Sequence, residues 1–294
     1  MSAKDLGALV LLGMLWGGSF LFIRVAVPVL GPFVLVELRV SLAALALVLY
    51  AVAVGRVPKL RGRWREFVLI GALNAALPFS LISAAEIELT ASLAAILNST
   101  TVLFTSLVAA AWMGERLTKG RVGGVILGIA GVAVLVGWDP VALNGPVLLS
   151  VGAMLCGSLC YGLGAVYTKR TFVGVPSTAL AIGQQAAAAA ILLPLAAVSP
   201  PAEAPPLVVV LSVLGLALLS TAVAYLLYFY LISSVGPTKT STVTFLVPVF
   251  GLLLGVLLLD EPVGAGTLAG LGIILLSVAL VIGIVPGINK EKRA

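Results

Sequence analysis

Apolar runs of about twenty residues dominate the sequence and leave it few ways to fold. They fall near Leu6 to Val27, Phe33 to Val54, Phe67 to Ala85, Ala91 to Met113 and Val122 to Trp138. A second five follow, near Pro146 to Thr168, Thr178 to Val198, Leu207 to Ser233, Thr240 to Leu259 and Leu268 to Val285. A helix needs ~20 mostly apolar residues to cross a bilayer, so the chain reads as an all-α membrane protein with ten transmembrane helices. Charged residues make up 10% of the 294, against about a quarter in a soluble domain. That excludes a soluble globular fold and leaves no separate domain to hold a catalytic site. The runs are apolar on every face, whereas the strands of an outer-membrane barrel alternate.

The placement of Lys and Arg tests the count, because a wrong number of spans would scatter them over both sides of the membrane. With the N-terminus inside, the even connections and both tails carry Lys4, the group Arg56, Lys59, Arg61, Arg63 and Arg65, then Arg116, Lys119 and Arg121. They also carry Lys169, Arg170, Lys239, Lys290, Lys292 and Arg293, which leaves only Arg24 and Arg39 elsewhere. The odd connections hold acids at their edges: Glu86, Glu88, Asp139, Glu203, Asp260 and Glu261. Both termini are therefore expected in the cytoplasm. The net charge of +6 reads as membrane topology, and no nucleic-acid partner is expected. The first run has only Lys4 before it, no A-x-A-like cleavage site, and Trp16 and Arg24 within it, so it reads as a retained helix.

The chain also repeats itself. The stretch from Ala91 aligns without gaps to the stretch from Pro237, which superposes Glu115 on Glu261 and Phe104 on Phe250. Met14 to Gly17 matches Met154 to Gly157, and Pro32 matches Pro176. Residues 1–140 and 141–294 thus read as two five-helix halves. Five is odd, so the halves enter the membrane in opposite directions, an arrangement of transporters whose substrate site lies between the halves near the bilayer midplane.

These residues resemble the drug/metabolite transporter superfamily, with two EamA-type repeats, and most closely the amino-acid exporters of the YddG type. The resemblance rests on Leu15 to Phe20 (LWGGSF), Pro32 with Arg39, and Gly114 to Thr118 (GERLT). The second half adds Phe245 to Phe250 (FLVPVF) and Asp260-Glu261-Pro262. It covers essentially the whole chain, with two departures: Val102 stands where the family commonly has a Pro midway along the fourth helix, and Cys156 where it commonly has a Trp. The resemblance implies export of amino acids or related metabolites from the bacterial cytoplasm across the inner (plasma) membrane, by alternating access.

Polar and aromatic residues inside the spans are the candidate substrate-binding groups, since polar side chains there tend to face the protein interior or a cavity. Asn98, Thr101 and Thr105 share one helical face and would look across the pathway at Ser241 and Thr244; the alternative is interhelical hydrogen bonding. Trp16, Phe20, Phe79, Tyr161, Tyr225 and Tyr228 could pack an apolar substrate side chain, the alternative being plain packing. Pro78 and Pro248 free carbonyls within their spans and are candidate hinges or static kinks. Glu37 could pair with Arg24 or Arg39, all three being expected toward the outer half, or could carry a coupling proton. The G-x-x-x-G spacings at Gly13/Gly17, Gly124/Gly128, Gly251/Gly255 and Gly266/Gly270 read as close helix packing.

No His, no metal-ligand motif and no nucleotide-binding loop occur, so no cofactor, no metal and no enzyme activity are expected. Cys156 and Cys160, four apart on one helix, read as packing residues. The remaining reading is a secondary transporter, expected as a monomer in the lipid bilayer, moving a small-molecule substrate. Amino acids with apolar or aromatic side chains lead. Nucleotide sugars, phosphorylated metabolites and cationic drugs stand as alternatives, a phosphate being disfavoured because Arg24 and Arg39 read as peripheral. A membrane-embedded enzyme or channel fits less well.

Overall fold

The computed structural model describes residues 1–58, 62–115, 117–138 and 144–283. Lys59, Arg61, Arg116, Asp139, Val285, Lys290, Lys292 and Arg293, and the expected boundary between the halves at residues 140 and 141, lie outside the described residues. The described chain is helical, with no strand among the described residues. In lipid no water is at hand for peptide groups, and a helix satisfies them within itself.

The helices are α1 (Ala3–Ala53), α2 (Trp64–Ala85), α3 (Ala91–Met113), α4 (Lys119–Trp138), α5 (Gly145–Thr171), α6 (Ser177–Ala197), α7 (Leu207–Val235), α8 (Val243–Leu259) and α9 (Ala265–Ile282). All but α8 are long and apolar enough to cross a membrane by length and composition, and α8 is a shorter apolar helix. The sequence separates Leu6 to Val27 from Phe33 to Val54, and α1 is correspondingly two helices in continuous succession, meeting at a kink within its 51 residues. A straight helix of that length would extend roughly 77 Å, far more than the ~30 Å hydrocarbon core. Gly31 breaks it, with φ 68° and ψ 163°. Positive φ is open to glycine, and the extended ψ suits a residue before a proline, here Pro32. Two arms result, residues 3–30 and 32–53.

Three other helices depart from α geometry in mid-course. In α2 a π-helical turn, Ala72–Ala76, lies just before Pro78. In α7 another spans Gly215–Val223, where the Thr221 hydroxyl donates to the Leu216 carbonyl at 2.8 Å. In α3 the helix is interrupted at Ser99 and Thr100. Val102 replaces the proline of the other half here, and hydroxyls bend the chain instead: Thr100 donates to the Leu97 carbonyl at 2.7 Å and Ser99 to Ala95 at 3.4 Å.

Glycines set how closely the helices meet. A Cβ on Gly17 would lie 2.7 Å from the Phe250 Cβ and 2.8 Å from the Val247 carbonyl oxygen. The first arm of α1 therefore touches the backbone of α8, as the G-x-x-x-G spacing predicts. Helices α4 and α9 pair with each other, and Ser277 donates to the Gly124 carbonyl at 2.6 Å.

At one end of the bundle Glu261, just past α8, caps α3. Its carboxylate accepts from the Ala91 N–H at 2.7 Å and from the Ser92 N–H and hydroxyl at 2.9 and 2.5 Å. Thr90 accepts from the Leu93 N–H, so the first three amides of α3 are all satisfied.

Candidate functional site

A cavity of about 510 Å3 lies between the two arms of α1 and the helices α2, α3, α5, α6, α7 and α8. It reaches Thr168 near the end of α5, Ser177 at the start of α6 and Ile232 near the end of α7. Those ends belong to the side of the bundle carrying Lys169 and Arg170, opposite the Glu261 cap.

Nine of the ten candidate binding residues line this space: Trp16, Phe20, Phe79, Asn98, Thr101, Tyr161, Tyr225, Tyr228 and Thr244. Ser241 is half-buried and lies outside the lining. Its carbonyl accepts from the Thr244 hydroxyl at 2.8 Å, so that hydroxyl is engaged with its own backbone. The hinge candidates Pro78 and Pro248 are buried beside the cavity, next in sequence to the lining residues Phe79 and Val247. Thr105, on the expected stripe, donates to the Thr101 carbonyl at 2.7 Å and does not reach the lining.

The rings form two groups. Trp16 and Tyr228 have centroids 5.5 Å apart, and Phe229 stands 5.8 Å from both Tyr228 and Tyr225. On another wall Phe79 meets Tyr161 edge-on at 6.3 Å. Such tilted contacts are the favoured aromatic geometries, and together they give an apolar body with hydroxyls at its edge. Polar atoms punctuate it. Asn98 Oδ1, Thr101 Oγ1 and Ser220 Oγ are buried and have no hydrogen-bond partner among the described residues. Asn74 Nδ2 reaches Gln184 Oε1 at 3.5 Å.

The cavity also has a cation, where the sequence placed Arg39 at the periphery. Arg39 is 6% exposed, its Nε donates to Thr221 Oγ1 at 3.0 Å, and its guanidinium carbon lies 3.6 Å from the Phe79 ring centroid. The suggested pairing with Glu37 is absent: the Glu37 carboxylate accepts from Ser41 one turn on, at 2.6 Å. Residues two apart on a helix point roughly 200° apart, so Glu37 and Arg39 face different neighbours. Arg24 donates instead to the backbone carbonyls of Glu86 and Ile87.

The architecture and the motifs agree with known proteins. The EamA-like transporter family matches residues 5–137 and again residues 148–283. The chain belongs to the EamA-like transporter family. It is 29% identical over 280 residues to the uncharacterized inner membrane transporter YedA of Escherichia coli K12, covering 94% of this chain and 89% of that one. It is 27% identical over 264 residues to a probable terminal-alkyne amino-acid exporter of Streptantibioticus cattleyicolor, covering 88% and 86%. It is also 26% identical over 286 residues to a probable amino-acid metabolite efflux pump of Salmonella typhimurium, covering 92% of each. A solved crystal structure superposes with a TM-score of 0.68 over 95% of this chain and 96% of that one, at 20% identity. This is a membrane transporter of small molecules with a multi-pass inner-membrane fold.

Sequence reasoning passed over Ser19, Asn74, Gln184 and Ser220, which also line the cavity. Asn74 and Gln184 are amides inside apolar runs, the signal that singled out Asn98. Ser19 and Ser220 gave no comparable signal, because a serine that returns its hydroxyl to its own helix looks the same in sequence; Ser19 does this, donating to the Trp16 carbonyl at 2.6 Å.

Proposed function

We propose that this EamA-like transporter exports amino acids with apolar or aromatic side chains, and related small metabolites, from the bacterial cytoplasm. It does so as a monomer, by alternating access between two inverted halves, residues 1–140 and 141–294, that together cross the membrane ten times. Counting the arms of α1 as two crossings and α8 as one supports that number. The one-sided distribution of Lys and Arg supports cytoplasmic termini. The observation that carries the substrate reading is the cavity itself. Aromatic walls suit an apolar side chain, while unpartnered Asn98 Oδ1 and Thr101 Oγ1 offer acceptors suited to an ammonium group. The printed names of the Streptantibioticus and Salmonella relatives point the same way. Substrate would enter from the side on which the cavity reaches Thr168 and Ser177, with the opposite side held by Glu261 on α3. Pro78 and Pro248, each beside a lining residue, would serve as hinges between the two states.

The test is exchange in proteoliposomes against a panel of amino acids graded by side-chain size. Losing a ring that packs the substrate forfeits roughly 1.5 to 3 kcal/mol of apolar burial, about ten- to a hundredfold in affinity. Trp16→Ala and Tyr225→Ala are expected to weaken transport of large apolar amino acids by that factor and of alanine far less. A uniform loss across sizes that tracks a lower thermal midpoint would make these rings part of the packing and defeat the assignment.

A further inference from the structure

We propose that Arg39 is the anchor for the substrate's carboxylate and so decides that the transported molecule carries one. This rests on the cavity being the substrate site. A buried cation is costly unless something compensates it, and the surroundings of Arg39 compensate it only in part. Nε is held by Thr221 and one face of the guanidinium lies on Phe79. The terminal nitrogens make no hydrogen bond to the described residues, and none of the described carboxylates lies within 4 Å. The acid nearest in sequence, Glu37, is engaged with Ser41.

What remains free is the part of an arginine that recognises anions. A guanidinium presents parallel N–H groups that match the two oxygens of a carboxylate, and such charge-assisted pairs are about twice as strong as neutral ones. The support behind it is built for holding a direction. Thr221 lies in the π-helical turn of α7, where its own hydroxyl is fixed on Leu216, and its oxygen takes the Arg39 Nε–H. The Phe79 face that covers Arg39 is braced in turn by Tyr161. An incoming carboxylate would complete the unpaired group, on a residue that is itself only 6% exposed. The ammonium of the same molecule would find the unpartnered oxygens of Asn98 and Thr101 on another wall. A substrate with both groups therefore fits better than a cationic amine.

Exchange of L-phenylalanine, L-phenylalaninamide and phenethylamine in proteoliposomes separates the roles. Wild-type protein is expected to favour the acid over the amide by roughly ten- to a hundredfold, the range for a hydrogen bond to a charged group. Arg39→Gln should bring that ratio to within about twofold while still exchanging the amide. Arg39→Lys, which keeps the charge but not the fork, should leave a ratio severalfold below wild type. If Arg39→Gln does not fold, the Lys variant decides alone, and an unchanged ratio in folded Arg39→Lys overturns the proposal. Equal loss of acid and amide in both variants would likewise overturn it, making Arg39 a support for the α7 turn. Wild-type protein that exchanges acid and amide equally leaves the amino-acid reading standing and removes Arg39 as anchor, whereas wild-type protein that exchanges neither defeats the amino-acid reading itself.

Discussion

Glu115 and Glu261 occupy equivalent places in the two repeats, yet they do different things. Their local turns are copies. Each follows a helix that ends in a left-handed residue, Gly114 at φ 67° and Asp260 at φ 52°. In each, the glutamate N–H returns to the carbonyl six residues back, Glu115 to Ala109 and Glu261 to Gly255. Beyond the turn they part. Glu261 is 8% exposed and caps the first amides of α3. The Glu115 side chain is 33% exposed and pairs with Lys169 at 3.1 Å and Arg121 at 3.2 Å. One end of the bundle is tied across the repeats by a carboxylate on a helix start. At the other end the equivalent carboxylate is occupied with surface cations, and the cavity reaches toward that side. A turn is a local object that the repeat copies; its partner depends on how the two halves are tilted.

The largest effect should come from the tied end. Glu261→Ala leaves the Ala91 and Ser92 amides and the Ser92 hydroxyl without their acceptor in a buried place, which costs about 2 to 4 kcal/mol. The thermal midpoint in detergent should fall by several degrees, well beyond the change for Glu115→Ala. Equal shifts would mean that the two ends are held alike and would break the comparison.

An intermediate effect tests the shared turn. Gly114→Ala places a Cβ on a left-handed residue at a penalty of about 1 kcal/mol, and Asp260→Gly relieves a strain of similar size. The two variants should move the thermal midpoint in opposite directions, by one to a few degrees in the sense of about 1 kcal/mol each. Shifts of the same sign would show that the turns are not equivalent.

The smallest effect belongs to Glu115. Its hydrogen bond from Lys169, then the charges of Lys169 and Arg121, hold its carboxyl below the ordinary glutamate range. A carboxyl lowered on folding adds stability above its unfolded value, and that stability is lost as pH falls through the lower folded value. Both partners are on the surface, so Glu115→Gln should cost at most about 1 kcal/mol at neutral pH. The difference from wild type should shrink to nothing under acid. A deficit that persists at low pH would assign Glu115 a role other than these ion pairs.

Much of this was legible in the residues. The apolar runs and the one-sided placement of Lys and Arg needed no tertiary contact to be read, because hydrophobic length and loop charge are local quantities. Aromatic and polar residues inside those runs pick out part of the cavity wall, since a polar or ring-bearing side chain in a span has few places to go. The burial of Arg39 in the cavity wall is not legible in this way, because position in the sequence gives depth along a helix and not which neighbours its rotation presents. The same holds for Ser241: it shares the α3-facing stripe in sequence, but the chain turns at Ser241 and Thr242 before α8 begins, which takes it away from the wall.

The sequence by itself determined the membrane, the helices and the repeat, because these depend on composition and spacing along the chain. Only the tertiary structure decided that Arg39 lies on Phe79 against the π-helical turn of α7. It also decided that Glu261, not Glu115, caps a helix of the other half. Each of these depends on the distance and tilt between helices far apart in the chain, and a pattern repeated in both halves cannot record which end of the bundle is tied.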